Sequence, residues 1–148
     1  MSDTGNNHFR VFLDTNVLIS AVVWPNSEAR KCLNCLMDCH HILLSEDAIH
    51  EVFNVLKREF PRALPAWDRL FTRMDFELIY TPQEIDFPVP HIRDEKDKPI
   101  LASAILAQPD ILISGDKDVH TDEIKEYLAV YTPGDFVRDF CRNIIRTR

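Results

Sequence analysis

Three aspartates stand at the joints between short apolar runs and polar ones. Asp14 follows Val11-Phe12-Leu13 and opens Asp14-Thr15-Asn16. Asp116 follows Ile111-Leu112-Ile113 within Ser114-Gly115-Asp116-Lys117-Asp118. Asp97 closes the charged stretch that begins at Arg93 and precedes the small apolar run Pro99 to Ala107. Each has an ordinary role open to it. Asp14 or Asn16 suits a helix cap, Asp97 suits another, and Gly115-Asp116 suits a turn. If the three come together, however, like charges raise one another's pKa, and the group stays ionised only around a cation. An all-oxygen set without histidine or cysteine suits Mg2+ or Mn2+. Such ions meet substrate phosphates and promote attack of water on phosphorus, with a second ion, if present, on the leaving oxygen. The chemistry implied is phosphoester hydrolysis. No G-x-x-x-x-G-K sequence is present to suggest a nucleotide-binding P-loop.

The pattern of elements decides whether the three meet. Phe9 to Leu13 reads as a strand running into a helix over Asn16 to Val23, which stops near Trp24-Pro25. Ser27 caps a helix from Glu28 to about Asp38. Ile42-Leu43-Leu44 reads as a strand, with His40 and His41 as turn residues rather than ligands. Ser45 caps the next helix, and Glu46 and Asp47 occupy the first turn that its dipole favours. Ile49, Val52, Phe53, Leu56 and Phe60 mark its buried face, which leaves Glu51 on the opposite, solvated side. One long helix is expected over Pro61 to Phe76, then a strand over Glu77 to Tyr80. Pro82, Pro88 and Pro90 make Thr81 to Ile92 a loop. The apolar helix Pro99 to Ala107, the strand Ile111 to Ile113, a helix over Thr121 to Leu128 and a strand at Ala129 to Tyr131 follow. Thr132-Pro133-Gly134-Asp135 opens a last helix with Phe136, Val137, Phe140 and Ile144 on one face.

Strands alternating with helices predict an α/β fold, a mostly parallel sheet with helices on both sides. In such a sheet all carboxyl ends share one edge, where open α/β folds bind ligands. Asp14 and Asp116 then lie on that edge, and Asp97 at a helix start can reach it.

Composition narrows the function classes. The 148 residues suit one domain, with Met1 to His8 as a flexible polar tail. A net charge of −7 leaves no electrostatic footprint for a simple nucleic-acid-binding module, yet it is compatible with carboxylates gathered around a cation. No apolar run approaches the roughly 18 residues of a membrane span, and no signal-peptide core is visible, so a cytoplasmic location is expected. Cys32, Cys35 and Cys39 fall with Leu36 on one helical stripe and read as reduced core residues rather than zinc ligands or a disulfide framework.

Asp14-Thr15-Asn16 after a strand, Glu51 in a helix, Asp97 through Ala104, and Leu112 through Asp118 together resemble the four acidic motifs of PIN domains. Tyr131 through Phe136 is similar to that family's final strand and helix. The nearest branch is the VapC-like toxin components of toxin–antitoxin pairs. The resemblance implies a three-layer α/β/α sandwich and a Mg2+- or Mn2+-dependent endoribonuclease using one or two ions. It places Asp14, Asp97 and Asp116 on metal and Glu51 on metal or on a water. Asp118 becomes a further acid, at the rim or a second metal. Asn16 and Ser114 hold the site by hydrogen bonds. Asp94 competes with Asp97 for its role, but Asp97 matches better because the small apolar helix begins just after it. RNA as substrate, a cognate antitoxin protein and a homodimer are the partners implied. Lys57, Arg58, Arg93, Lys98 and Lys117 are candidates to contact phosphates. A PIN-fold interaction module with weak or no catalysis is the alternative. A phosphatase of the haloacid dehalogenase kind fits less well, because Asn16 stands where it needs a second acid.

Overall fold

The computed structural model describes residues 8–141 of the chain. Most of the expected Met1 to His8 tail, and Ile144, fall outside that span. Within it the elements run β1 (Arg10–Leu13), α1 (Thr15–Val23), α2 (Glu28–Cys39), β2 (His41–Ser45), α3 (Glu46–Glu59), α4 (Leu64–Arg73) and β3 (Phe76–Ile79). After the long loop come α5 (Lys98–Ala107), β4 (Ile111–Ile113), α6 (Asp122–Lys125), β5 (Val130–Tyr131) and α7 (Pro133–Phe136). A π-helical turn, Val137–Cys141, continues α7.

The five strands form one sheet in the order β3-β2-β1-β4-β5, every pair parallel. Residues alternate between its faces, as the two-residue strand repeat requires. Val11, Leu13, Ile42, Leu44, Ile111 and Ile113 face a core shared with α1, α2, α3, α4 and α7. Phe12, Leu43 and Leu112 face a smaller core with α5 and α6. The result is the three-layer α/β/α arrangement expected. Each fully buried leucine or phenylalanine contributes about 1.5–3 kcal/mol through its burial. The order reverses direction at β1 and β4, which makes the crevice at their carboxyl ends the switch point of the sheet.

At the opposite, amino edge, Arg10 ties three elements together. Its backbone N–H donates to Asp110 Oδ2 at 2.7 Å. Its guanidinium donates to the carbonyls of Ala107 and Gln108 at 2.9 and 3.1 Å and to Glu77 Oε1 at 3.2 Å. Gln108 closes α5 in the left-handed region, with φ at 50°.

Four local readings are corrected. The single helix over Pro61 to Phe76 is a 3-10 turn, Pro61–Ala63, followed by α4. Pro61 and Pro65 each lack an N–H, so each suits a helix start and neither a helix interior. Phe76 already belongs to β3. On α3 the buried row is Ala48, Val52 and Leu56, whereas Phe53 is 45% exposed. One residue is a 100° rotation, enough to carry Phe53 off the core face. α6 spans only Asp122–Lys125, although Leu128 beyond it is still buried.

The cysteine stripe is buried as expected at Cys32 and Cys35. It is not wholly reduced: Cys35 and Cys141 form a disulfide, their Cα atoms 6.1 Å apart and 106 positions distant in sequence. That separation hides the pair from any local pattern. The bond fastens the end of the described chain to α2 beside an aromatic cluster of Phe9, His40, Phe136 and Phe140. Closing so long a loop stabilises mainly by restricting the unfolded chain. Reduction, or Cys141→Ser, is therefore expected to lower unfolding stability by about 2–5 kcal/mol in urea titrations. Identical midpoints with and without reductant would mean the bond carries no such role.

Candidate active site

β1 delivers Asp14 and β4 delivers Ser114 to the same edge. The Asp14 N–H donates to the Ile113 carbonyl at 3.1 Å, so the parallel pairing continues one residue past β1 and fixes the Asp14 backbone against β4. The buried Ser114 hydroxyl donates to Asp14 Oδ2 at 2.7 Å and accepts from the Asp116 N–H at 3.0 Å. One hydroxyl thus sets both aspartates. Asp116 Oδ1 accepts in turn from the Asp118 N–H at 2.9 Å.

A small cavity of about 20 Å3, room for a water or a single small ion, lies between these elements. Asp14, Asp97, Ser114 and Asp116 line its polar side, and Ile92, Ile100, Leu101 and Val119 are among its apolar walls. Ile92 comes from the end of the proline-rich loop and is buried in the smaller core. Packing of that residue brings the charged stretch, and with it Asp97, to the sheet edge.

Local geometry separates the two competing acids. Asp94 caps the 3-10 turn Glu95–Asp97, its carboxylate accepting from the Lys96 N–H at 3.1 Å. Asp97 precedes α5 without any side-chain cap bond, and its carboxylate is left for the cavity. The cap expected of Asp97 is supplied one turn earlier by Asp94.

Electrostatics express the crowding. Burial pushes the Asp14 carboxyl above the usual carboxylate range, against the pull of the Ser114 hydroxyl and the Thr15 and Asn16 amides. Asp97 is pushed up to about 6, first by burial and then by the negative charges of Asp94, Asp14, Asp116 and Glu51. The charges that raise Asp97 are those of other acids.

Glu51 is exposed on α3 and does not line the small cavity; it lies in a neighbouring open groove, close enough for its charge to act on Asp97. Asp118 sits at the rim, outside the cavity lining, 3.9 Å from the Arg93 guanidinium. The Asn16 side chain is exposed, and its contribution to Asp14 comes through its backbone amide. Lys57, Lys98 and Lys117 line neither the cavity nor the groove, whereas Arg58 lines the groove. Sequence reading missed His120, whose Nε2 lies 2.7 Å from the Ser114 carbonyl oxygen. A carbonyl only accepts, so the proton is on Nε2 and pins the turn that carries Asp116. It missed Thr15 too, a buried hydroxyl beside Asp14 with no hydrogen-bond partner. A histidine six residues beyond Ser114 gives no sequence signal by itself.

Among the described residues no three carboxylate, histidine or cysteine groups converge into a closed metal cluster. The donor set nonetheless fits Mg2+ or Mn2+ in kind. It is all oxygen, and Mg2+ commonly keeps several waters and takes only one or two protein carboxylates.

Comparison with known proteins agrees with this architecture. A family model described as PIN domain matches residues 10–118. Among solved structures, the chain is similar to a chain of VapBC2 from Rickettsia felis, crystallised bound to a DNA fragment from its promoter. The TM-score is 0.58 at 16% identity, covering 83% of this chain and 98% of that one. No curated protein matches the sequence.

Two outcomes follow from the site. Because the folded-state pKa of Asp97 lies above its ordinary 3.8, the folded protein holds that proton more tightly than the unfolded chain. Its contribution to stability is full below 3.8 and lost as pH rises through about 6. Melting curves in EDTA should fall across that window more steeply for the native protein than for Asp97→Asn; parallel curves would contradict the assignment. Ser114→Ala leaves Asp14 and the Asp116 amide without their common partner and should cost about 1–3 kcal/mol in urea unfolding. A loss below about 0.5 kcal/mol, the range of ordinary surface changes, would remove Ser114 from its organising position.

Proposed function

The chain belongs to the PIN domain family, and we infer from this that it is a Mg2+- or Mn2+-dependent endoribonuclease, the toxin of a toxin–antitoxin pair. One observation carries the reading: Asp14, Asp97 and Asp116 line one cavity at the switch point of the sheet, and the charges of Asp14 and Asp116 act on Asp97. A divalent cation bound there would supply Lewis-acid stabilisation of the charge that develops on the phosphoryl oxygens. Asp14, Asp97 and Asp116 would hold it. Ser114 keeps Asp14 Oδ2 in one orientation, and His120 keeps the Ser114 turn in place. Glu51, exposed across the groove, is free to orient a water or take its proton. The apolar walls at Ile92, Ile100 and Val119 limit solvent beneath the acids, which strengthens each electrostatic contact above them.

The partner protein in this reading is an antitoxin. Trp24 is 52% exposed and packs edge-on against Phe60. Beside them Val22, Val23, Phe60, Pro61, Ala63 and Ala66 line a concave apolar surface. That surface suits an amphipathic segment or a second copy of the chain, and it is also where the interaction-module alternative would place its partner. No helix among the described residues is long and apolar enough to cross a membrane. With RNA as substrate we place the protein in the cytoplasm, where the Cys35–Cys141 bond faces a reducing pool.

The test is Mn2+-dependent cleavage of a mixed single-stranded RNA pool. The native protein should cut, EDTA should stop it, and Asp14→Asn and Asp116→Asn should each lose more than roughly 100-fold, beyond the effect typical of a ligand's supporting residues. Urea midpoints should show both variants folded. Cleavage that survives Asp14→Asn would sink the site assignment. Absence of both cleavage and calorimetric Mn2+ binding would favour the interaction-module reading.

A further inference from the structure

The groove beside the acids sorts its charge along its length. His50, Asn54 and Arg58 recur every fourth residue and share one ridge of α3, next to the ridge of Asp47 and Glu51. Lys96 stands on the other wall, immediately before Asp97. The groove is open, with a volume of about 390 Å3, in the roughly 300–1,000 Å3 range of ligand clefts. Ile100 lines both this groove and the small acid cavity, so the two adjoin at that residue. The acids Asp47 and Glu51 lie towards the start of α3, and Arg58 lies at its far end. On a chain of net charge −7, Lys96 and Arg58 are groove-lining cations, whereas Lys57, Lys98 and Lys117 are not.

We propose that this groove is the track of a single RNA strand on one side of the scissile phosphodiester. Lys96 and Arg58 hold its phosphates, and His50 and Asn54 face its bases and ribose hydroxyls. The inference rests on the ribonuclease reading of the adjoining acids. Neutral, hydrogen-bonding side chains flanked by two cations suit a strand whose backbone is held by charge and whose base edges remain readable. The seven helical steps from Glu51 to Arg58 span about 10 Å of helix axis. At about 3.4 Å per stacked nucleotide, that is roughly three nucleotides. A substrate must therefore extend about that far past the cut to reach Arg58. In the free protein Arg58 pairs with its neighbour Glu59 at 2.7 Å, and both side chains are more than half exposed. Exposed pairs of this kind contribute little, so exchanging Glu59 for a phosphate meets little resistance.

The experiment compares native protein with Arg58→Ala, Lys96→Ala and the double variant, with Lys31→Ala on α2 as control. Cleavage of a 12-nucleotide RNA strand is measured alongside that of a trinucleotide. In parallel, anisotropy in EDTA follows binding of the labelled 12-mer against salt. The double variant should raise KM for the 12-mer by about tenfold with kcat within about twofold. Its slope of log affinity on log salt should fall by about 1.4, two phosphate contacts on a single strand. Lys96→Ala, next to the acids, should weaken both substrates, Arg58→Ala should weaken the 12-mer more than the trinucleotide, and Lys31→Ala should change neither. An unchanged KM and slope, an equal loss of Arg58→Ala on the trinucleotide, or equal affinity for a duplex would each overturn the track. If the native protein cuts nothing, the ribonuclease reading fails. The anisotropy slope then decides the track separately: a fall confined to the groove variants upholds it, and an unchanged slope ends it.

Discussion

A carboxyl group held where its charge is disfavoured is the constraint on which the carboxyl edge depends. Asp14 is largely withdrawn from water, and burial raises its pKa more than any neighbour does. What opposes that rise is local: the Ser114 hydroxyl and two amides of the first turn of α1. The hydroxyl exists at that point only because β1 and β4 are paired in parallel and end together. The pairing of the two central strands, the orientation of Asp14 and the start of α1 are therefore one structural fact seen at three scales. Moving either strand by one residue would point its side chains to the other face and break all of it.

The two edges of the sheet solve opposite problems. At the amino edge Arg10 is surrounded by acceptors from α5 and β3, and Glu77 beside it is drawn below its ordinary pKa by Arg10 and His41. Charges there are paired and satisfied. At the carboxyl edge Asp97 is raised by the charges of other acids. The arginine of this edge stands at its rim, where Arg93 is 3.9 Å from Asp118. The contrast points to a binding requirement at the acid edge, because unpaired like charges lower stability unless a ligand offsets them.

Strong local patterns made much of this legible in advance. The inner strands at Val11–Leu13 and Ile111–Ile113 are short apolar runs that suit nothing else, and Ser27, Ser45, Thr121 and Thr132 all accept the cap bonds their types favour. Asp14 and Asp116 followed directly from the ends of those strands. What stayed hidden depends on contacts across the chain. By periodicity Glu51 looks like any surface carboxylate on α3; the family resemblance singles it out, and its charge acting on Asp97 adds a physical mark. Asp97 is preferred to Asp94 in the sequence because the apolar helix begins just after it, and the 3-10 turn adds the reason that Asp94 is occupied with capping. The Cys35–Cys141 bond links positions 106 apart, and the exposure of Phe53 follows from which row of α3 the core selects. Pattern shows that a helix has a buried face but leaves that face's centre free by about one residue.

In the proposed function an acidic protein acts on a polyanion and must separate where it repels from where it holds. The residues for such a separation lie along α3 and the turn into α5. Asp14, Asp97 and Asp116 gather at the sheet edge, and Lys96 and Arg58 stand in the adjoining groove. Arg93, 85% exposed, stands beside Asp118. Screening shortens the reach of the net charge to about 8–10 Å at physiological salt, so local arrangement outweighs the sum. On the proposed track, Lys96 and Arg58 offset the acids Asp47 and Glu51 that share the groove with them. Net charge read from composition therefore argues against broad nucleic-acid affinity, while leaving open a narrow approach in which few phosphates are held and substrate choice rests on the groove.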